Sequence, residues 1–253
     1  MTLTLIPLPR IPFIKPGDDL VRVILTSLER TGLTFQDGDI LVIAQKIVSK
    51  SEGRLVDLKT VTPSTQAVEL AERSEKDPRM VELILRESKS VLRSRPGTII
   101  VEHHLGFVCA NAGIDQSNVN QENDGDWVLL LPLNPDETAA NIRRRLEKIS
   151  DARLGVLIID SHGRAWRLGT AGVAIGLSGL PGLVDLRGEK DLFGYQLRIS
   201  EVGAADELAS AASLLMGQAA ESKPVILVRG FPYPLREGNL NELIRPKEQD
   251  LFR

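Results

Sequence analysis

The chain has 253 residues, enough for one sizeable core or two small ones. Apolar residues make up 42% and charged residues 26%, with a net charge of −3; this fits a soluble globular protein and gives no general attraction to nucleic acid or an anionic membrane, although a local basic patch stays open. A single cysteine, Cys109, excludes an intrachain disulfide and a thiolate-rich zinc site, and no apolar run reaches the ~18 residues of a membrane span.

The first ten residues lack the basic and long apolar regions of a signal peptide, so they read as an entry strand, and the cytoplasm is the expected compartment. Residues 2–6 alternate as a strand does, and prolines at 7, 9, 12 and 16 force an extended segment. The spacing of Leu20, Val23, Ile24 and Leu28 predicts a helix capped by an Asp. Asp37-Gly38-Asp39 is a turn signal before the β-branched run 40–44, a buried strand. Helices are expected over 64–75 and 78–89, with Pro78 in the first turn of the second. Residues 98–102 and 106–110 read as paired strands, with Cys109 as a small core residue and His103 and His104 in the turn, their side chains pointing oppositely. Residues 119–126 read as a polar loop and 127–131 as a strand. Asn134 caps a helix to about Ser150 with Ile142, Leu146 and Ile149 inward. The run 154–159 is a strand that ends in Asp160. Residues 163–194 are glycine-rich with little periodicity, which suits close-packed backbone or a ligand-approach loop. A strand over 195–202, a helix over 204–216, a last core strand over 224–228 and an exposed tail from Arg236 complete the chain. Without regular β-α alternation, one mixed α/β (α+β) domain is the economical reading.

The common nucleotide and zinc signatures, G-x-x-x-x-G-K-[ST], G-x-G-x-x-G after a strand and H-E-x-x-H, are absent. Two acids stand out instead. Asp115, in the polar run 111–118, suits either an Asx-turn or a ligand site. Asp160-Ser161 suits either a helix cap or a cation ligand, and Arg164 and Arg167 nearby could meet anionic oxygens, as phosphoryl-transfer sites require. A carboxylate and hydroxyl at a strand end are hard oxygen ligands for a divalent cation. Lys46 and Lys50 share a face if residues 45–53 are helical; they are either solvated or separated by an anion. Gly217 reads as a helix C-cap, and the role of His162 stays open.

Taken together, residues 11–20, 37–39, 47–53, 111–118, 131–136, 160–167, 205–208 and 215–217 resemble the coenzyme F-420-0:L-glutamate ligases, in order over nearly the whole chain. The resemblance implies the stand-alone form, a ligase domain over 1–253 with mixed sheets and flanking helices, intertwined with a second copy in a homodimer. It implies GTP-dependent amide formation: GTP phosphorylates the terminal carboxylate of the deazaflavin precursor, the amine of L-glutamate attacks the acyl phosphate, GDP and phosphate leave, and later rounds add γ-linked glutamate. Two Mg2+ or Mn2+ ions and K+ are the implied cofactors, and small molecules the implied partners.

Carried over by motif, Asp115 and Asp160 would be metal ligands and catalytic groups. Ser161 and Gln218 would hold the second ion. Lys50 would be catalytic and, with Ile11, Pro12, Phe13, Ile14, Gln45, Asn118 and the loop Met216, Gly217, Gln218, Ala219, Ala220, Glu221, Ser222 and Lys223, would bind GTP. Gln45 stands where the family often has Ser or Thr, and Ser161 where Thr is usual; the 218–222 loop lacks the glycines of some members. Arg164 and Arg167 are added on charge alone, for the acidic substrate. A metal-dependent phosphohydrolase and a non-catalytic GTP-binding module are the competing readings.

Overall fold

Strands rich in Val, Ile and Leu must be covered on both faces, and this requirement organises the molecule. The computed structural model describes residues 2–119 and 125–251. In chain order its elements are β1 (Thr4–Pro7), α1 (Leu20–Glu29), β2 (Ile40–Ala44), α2 (Gln45–Ser51), β3 (Leu55–Asp57), α3 (Thr65–Ser74), α4 (Pro78–Arg86), β4 (Ser88–Arg95), β5 (Thr98–His103) and β6 (Val108–Ala110). There follow β7 (Trp127–Leu129), α5 (Pro135–Ser150), β8 (Gly155–Gly163), β9 (Thr170–Ser178), β10 (Val184–Asp185), β11 (Glu201–Val202), α6 (Ala204–Met216) and β12 (Val225–Arg229). The mixed α/β expectation holds.

The main sheet has the order β1-β12-β2-β8-β9. β2 and β8 run parallel and the other neighbours antiparallel. Alternate residues divide between two cores. Leu41, Ile43, Val156 and Ile158 face α1 and α5, while Ile40, Val42, Leu157 and Ile159 face α6. A third core gathers α3 and α4 against β5 and β7. The smaller sheets are β4-β5-β6, β3-β7 and β10-β11.

The helix signals act as the sequence implies. The Asp19 carboxylate accepts from Val21 N and Arg22 N, Asn134 accepts from Glu137 N, and proline occupies the first turn of α4 and α5. Gly217, at φ 75°, closes α6.

Several expectations fail. β8 does not end at Asp160: it continues to Gly163, paired to β9, because the polar residues satisfy the same ladder as the apolar ones. The glycine-rich stretch contains β9, and its glycines serve close packing: a Cβ on Gly172 would lie 2.5 Å from Ala209 O, and one on Gly176 2.5 Å from Pro135. The strand expected over 195–202 shrinks to Glu201–Val202; Asp191 accepts from Phe193 N and Tyr195 N and bends the chain instead. β3 and β4 have no counterpart in the sequence reading. Ile149 is 61% exposed, since the chain reverses at Asp151 and Ala152 and Leu154 fill the core there. The tail is not wholly exposed: Leu240 is buried and Arg236 grips Glu242 through two 2.7 Å bonds. Of the loop expected at 119–126, residues 120–124 lie outside the described residues.

Candidate functional site

The parallel pair β2 and β8 delivers two segments to one end of the sheet. β2 passes directly into α2, with Gln45 as the first helical residue. Asp115 arrives from the third core and is tied to β7 by reciprocal backbone bonds with Leu129, 2.9 and 2.8 Å. Its carboxylate meets α2: Gln45 Nε2 donates to Oδ2 at 2.8 Å, and Lys46 Nζ lies 3.4 Å from Oδ1. Lys46 also donates to Ser117 Oγ at 2.8 Å, and Lys50, one turn on, donates to Asn118 O at 2.7 Å. The two lysines thus share a face and strap the 115–118 segment to the helix. Asn118 Nδ2 in turn donates to Ala219 O at 3.2 Å, joining the 216–223 loop to the cluster.

Asp160 and His162 alternate on β8 toward the α1/α5 face, and His162 Nε2 lies 3.1 Å from Asp160 Oδ2. Phe107 packs on the His162 ring at 5.1 Å. Ser161 points to the α6 face, paired across the ladder with Gly172, whose position packs on Ala209 and Ser213. Gln218 Nε2 donates to Ser213 Oγ at 3.1 Å on that same side. Asp160 and Ser161, one from each proposed ligand pair, therefore project from opposite faces of β8.

The electrostatics are those of a half-buried cluster of both signs. Burial raises the Asp115 carboxyl above its ordinary value; Lys46 pulls it back and the charge of Asp160 pushes it further up. Burial lowers the Lys50 ammonium, and the like charge of Lys46 adds to that effect. The Cys109 thiol is pushed up to about 12 by burial and by Asp160, so it is an inert core group. Among the described residues no cluster of three or more His, Cys, Asp or Glu could hold a metal ion. The donor set available here is two carboxylates, a hydroxyl and an amide: all hard oxygens, which suits Mg2+ or Mn2+ better than a soft metal.

The remaining expected residues lie as follows. Ile14 is buried, Ile11 half-buried, and Pro12 and Phe13 are exposed, Phe13 at 94%. Gly17 N, just beyond, bonds Ser51 O and so anchors this segment to the end of α2. Met216 is buried at the end of α6. The exposed 219–223 turn is held by Glu221, which accepts from Ala219 N at 2.8 Å, with Ser222 left-handed at φ 55°. Lys223 adds its charge to Glu221, and Ala220 O accepts from Ser222. Arg164 and Arg167 stand on the β8–β9 hairpin tip, where Arg164 donates to Leu168 O at 3.1 Å. The sequence reading missed the contacts of Lys46 and His162 with the two acids. The i, i+2 spacing of Asp160 and His162, which puts both on one strand face, is the signal that was available for the second contact.

Comparison with known proteins identifies the family. The chain belongs to the F420-0:Gamma-glutamyl ligase family, whose model matches residues 9–230. It is similar to the coenzyme F420:L-glutamate ligase of Methanocaldococcus jannaschii, 48% identical over 219 residues that cover 87% of this chain and 86% of that one. The protein of the same description from Methanothermobacter thermautotrophicus is 45% identical over the full length of both chains, and that from Archaeoglobus fulgidus 40% identical over 100% of this chain and 97% of its own.

Proposed function

We propose that this chain joins L-glutamate to the deazaflavin precursor coenzyme F-420-0 by an amide bond, with GTP as phosphoryl donor, and then adds further γ-linked glutamate. The observation that supports the reading is the convergence of acid, amide and ammonium groups at one end of the sheet: the Asp115 carboxylate meets Gln45 at 2.8 Å and Lys46 at 3.4 Å, burial and the charge of Asp160 raise its carboxyl, and burial and the charge of Lys46 lower the Lys50 ammonium. A cation–triphosphate pair would relieve both at once.

In the first step the γ-phosphoryl group passes to the terminal carboxylate of the precursor; the bond to the GDP oxygen breaks and an acyl phosphate forms. The amine of glutamate then attacks the acyl carbon. A C–N bond forms, the C–O bond to phosphate breaks, and the amine proton is released as phosphate leaves. Lys50 acts as a point charge on the phosphates, with Lys46 beside it. Residues 11–14, Asn118 and the 216–223 loop are proposed to hold the nucleotide, with the position of Gln45, whose amide is itself engaged by Ser49 and Asp115, beside them. Asp115 and Asp160 would hold one Mg2+ or Mn2+, and Ser161 with Gln218 a second; bound there, the ions neutralise phosphate charge. K+ completes the proposed set. Arg164 and Arg167 are proposed to meet the acidic substrate. Trp166, Leu168, Leu192 and Phe193, each at least 88% exposed, are large apolar side chains that a second copy would cover, which supports a homodimer. No helix among the described residues is long and apolar enough to cross a membrane, and we assign the chain to the cytoplasm.

The test is incubation with GTP, Mn2+, L-glutamate and F-420-0. The expected result is a mass gain of one glutamyl unit with GDP release. GDP released equally without glutamate or precursor supports a phosphohydrolase, and nucleotide binding without turnover supports a binding module. Sedimentation reads the dimer.

A further inference from the structure

We propose that Ser49 and Gln45 form a positioning relay for Asp115. The proposal rests on the reading of Asp115 as a cation ligand. Gln45 and Ser49 are one turn apart on α2 and are buried, at 2% and 0% exposure. Ser49 Oγ donates to Gln45 Oε1 at 2.9 Å, and Gln45 Nε2 donates to Asp115 Oδ2 at 2.8 Å.

The direction of the relay is what matters. A glutamine amide is nearly symmetric in shape, so packing alone does not decide which end meets a carboxylate. Turned the wrong way, Oε1 would face the Asp115 oxygen and that bond would be lost, so the acceptor-only carboxylate selects the orientation. The Ser49 hydroxyl, by donating to the carbonyl end, then holds the amide plane in that position. Because these groups are buried, water does not readily replace the missing donor. Lys46, at 3.4 Å from the other oxygen and 27% exposed, is the looser hold. With the backbone of Asp115 already fixed on Leu129, the amide is the contact that sets the carboxylate's rotation. Oδ2 is thereby occupied from the α2 side, which leaves its other lone pair for a cation. Groups that orient a metal-binding carboxylate in this way are worth about 10–100-fold in metal affinity.

The experiment is Mn2+ binding followed by electron paramagnetic resonance, without nucleotide or substrates, on the full chain and on Ser49→Ala, Gln45→Met, the double variant and Ser49→Thr, each checked for an unchanged melting temperature. We expect Ser49→Ala and Gln45→Met each to weaken Mn2+ about tenfold. The double variant should be no weaker than Gln45→Met, because the serine acts only through the amide. Ser49→Thr, which keeps the hydroxyl, should bind as the unaltered chain does. Unchanged affinity in Ser49→Ala, additive losses in the double variant, or Ser49→Thr as weak as Ser49→Ala would each overturn the relay while leaving the cation site standing. An unaltered chain that takes up no Mn2+ overturns the cation reading itself, and the relay with it.

Discussion

Replacing Gly172 with alanine tests whether the packing of α6 on β9 sets the second half of the site. The added Cβ would stand 2.5 Å from Ala209 O and 2.6 Å from Ser213 Cβ, both on the helix. Carbon atoms rest at about 3.5 Å, so α6 must retreat by about 0.9 Å. Ser210 Oγ, which donates to Gly172 O at 2.8 Å, would be drawn off as well. Overpacking of this size costs about 1–3 kcal/mol. The helix also carries Ser213, which holds Gln218, and a misplacement of about 1 Å can cost on the order of 100-fold in rate. Gly163 is the control: it lies on the adjoining strand, has nothing within 4 Å of a built Cβ, and tolerates alanine. Urea unfolding and glutamyl transfer, measured on both variants, form the assay. If Gly172→Ala unfolds at the same midpoint as Gly163→Ala and turns over at the same rate, the argument that backbone contact positions α6 is wrong.

Asp160→Asn should leave the urea midpoint nearly unchanged and abolish almost all glutamyl transfer, since a cation ligand loses its charge; wild-type rates would count against the site. Lys50→Ala should raise the KM for GTP more than that for glutamate, and equal effects would refute its role on the phosphates. Arg229→Ala strands the Asp39 carboxylate, 1% exposed and held by two bonds of 2.8 and 2.7 Å; a loss of about 3 kcal/mol in urea unfolding is expected, at the low end for a broken buried pair because Arg229 itself is partly exposed. His103 is lowered from 6.5 to about 4, chiefly by burial, with His104, Arg54 and His162 adding to it. Its Nδ1 accepts from Leu105 N, and Glu87, 3.8 Å from Nε2, is too far for a hydrogen bond. The folded chain thus keeps the ring neutral while the unfolded chain protonates it. Stability is full above about pH 6.5 and falls by roughly 3 kcal/mol as pH drops through 6.5 to 4. His103→Phe should lack that share of the decline, and parallel stability-versus-pH curves for the two proteins would refute the assignment.

The elements that came through from sequence are those whose signals are local. β2 follows the Asp37-Gly38-Asp39 turn as a five-residue apolar run, α6 is rich in alanine and ends at a glycine, and α5 starts at Asn134-Pro135. The failures depend on partners far away in the chain. β4 is mostly polar and exposed, and forms because β5 offers it a ladder. β9 hides its period because its glycines make room for helices. The site shows the same division. Asp115 and Asp160 were visible as acids in unusual settings, whereas the contact of Lys46 and Gln45 with Asp115 spans some seventy residues and no spacing rule reaches that far.

The pleat of β8 makes the geometry of this end of the molecule quantised. Asp160 looks one way and Ser161 the other only because each residue along a strand reverses direction. Side chains there can be exchanged, but length cannot: inserting a single residue ahead of Asp160 would turn the acid toward α6 and the hydroxyl toward α5, exchanging their compartments with no change in composition. Drift in this segment should therefore take the form of replacements and not of insertions.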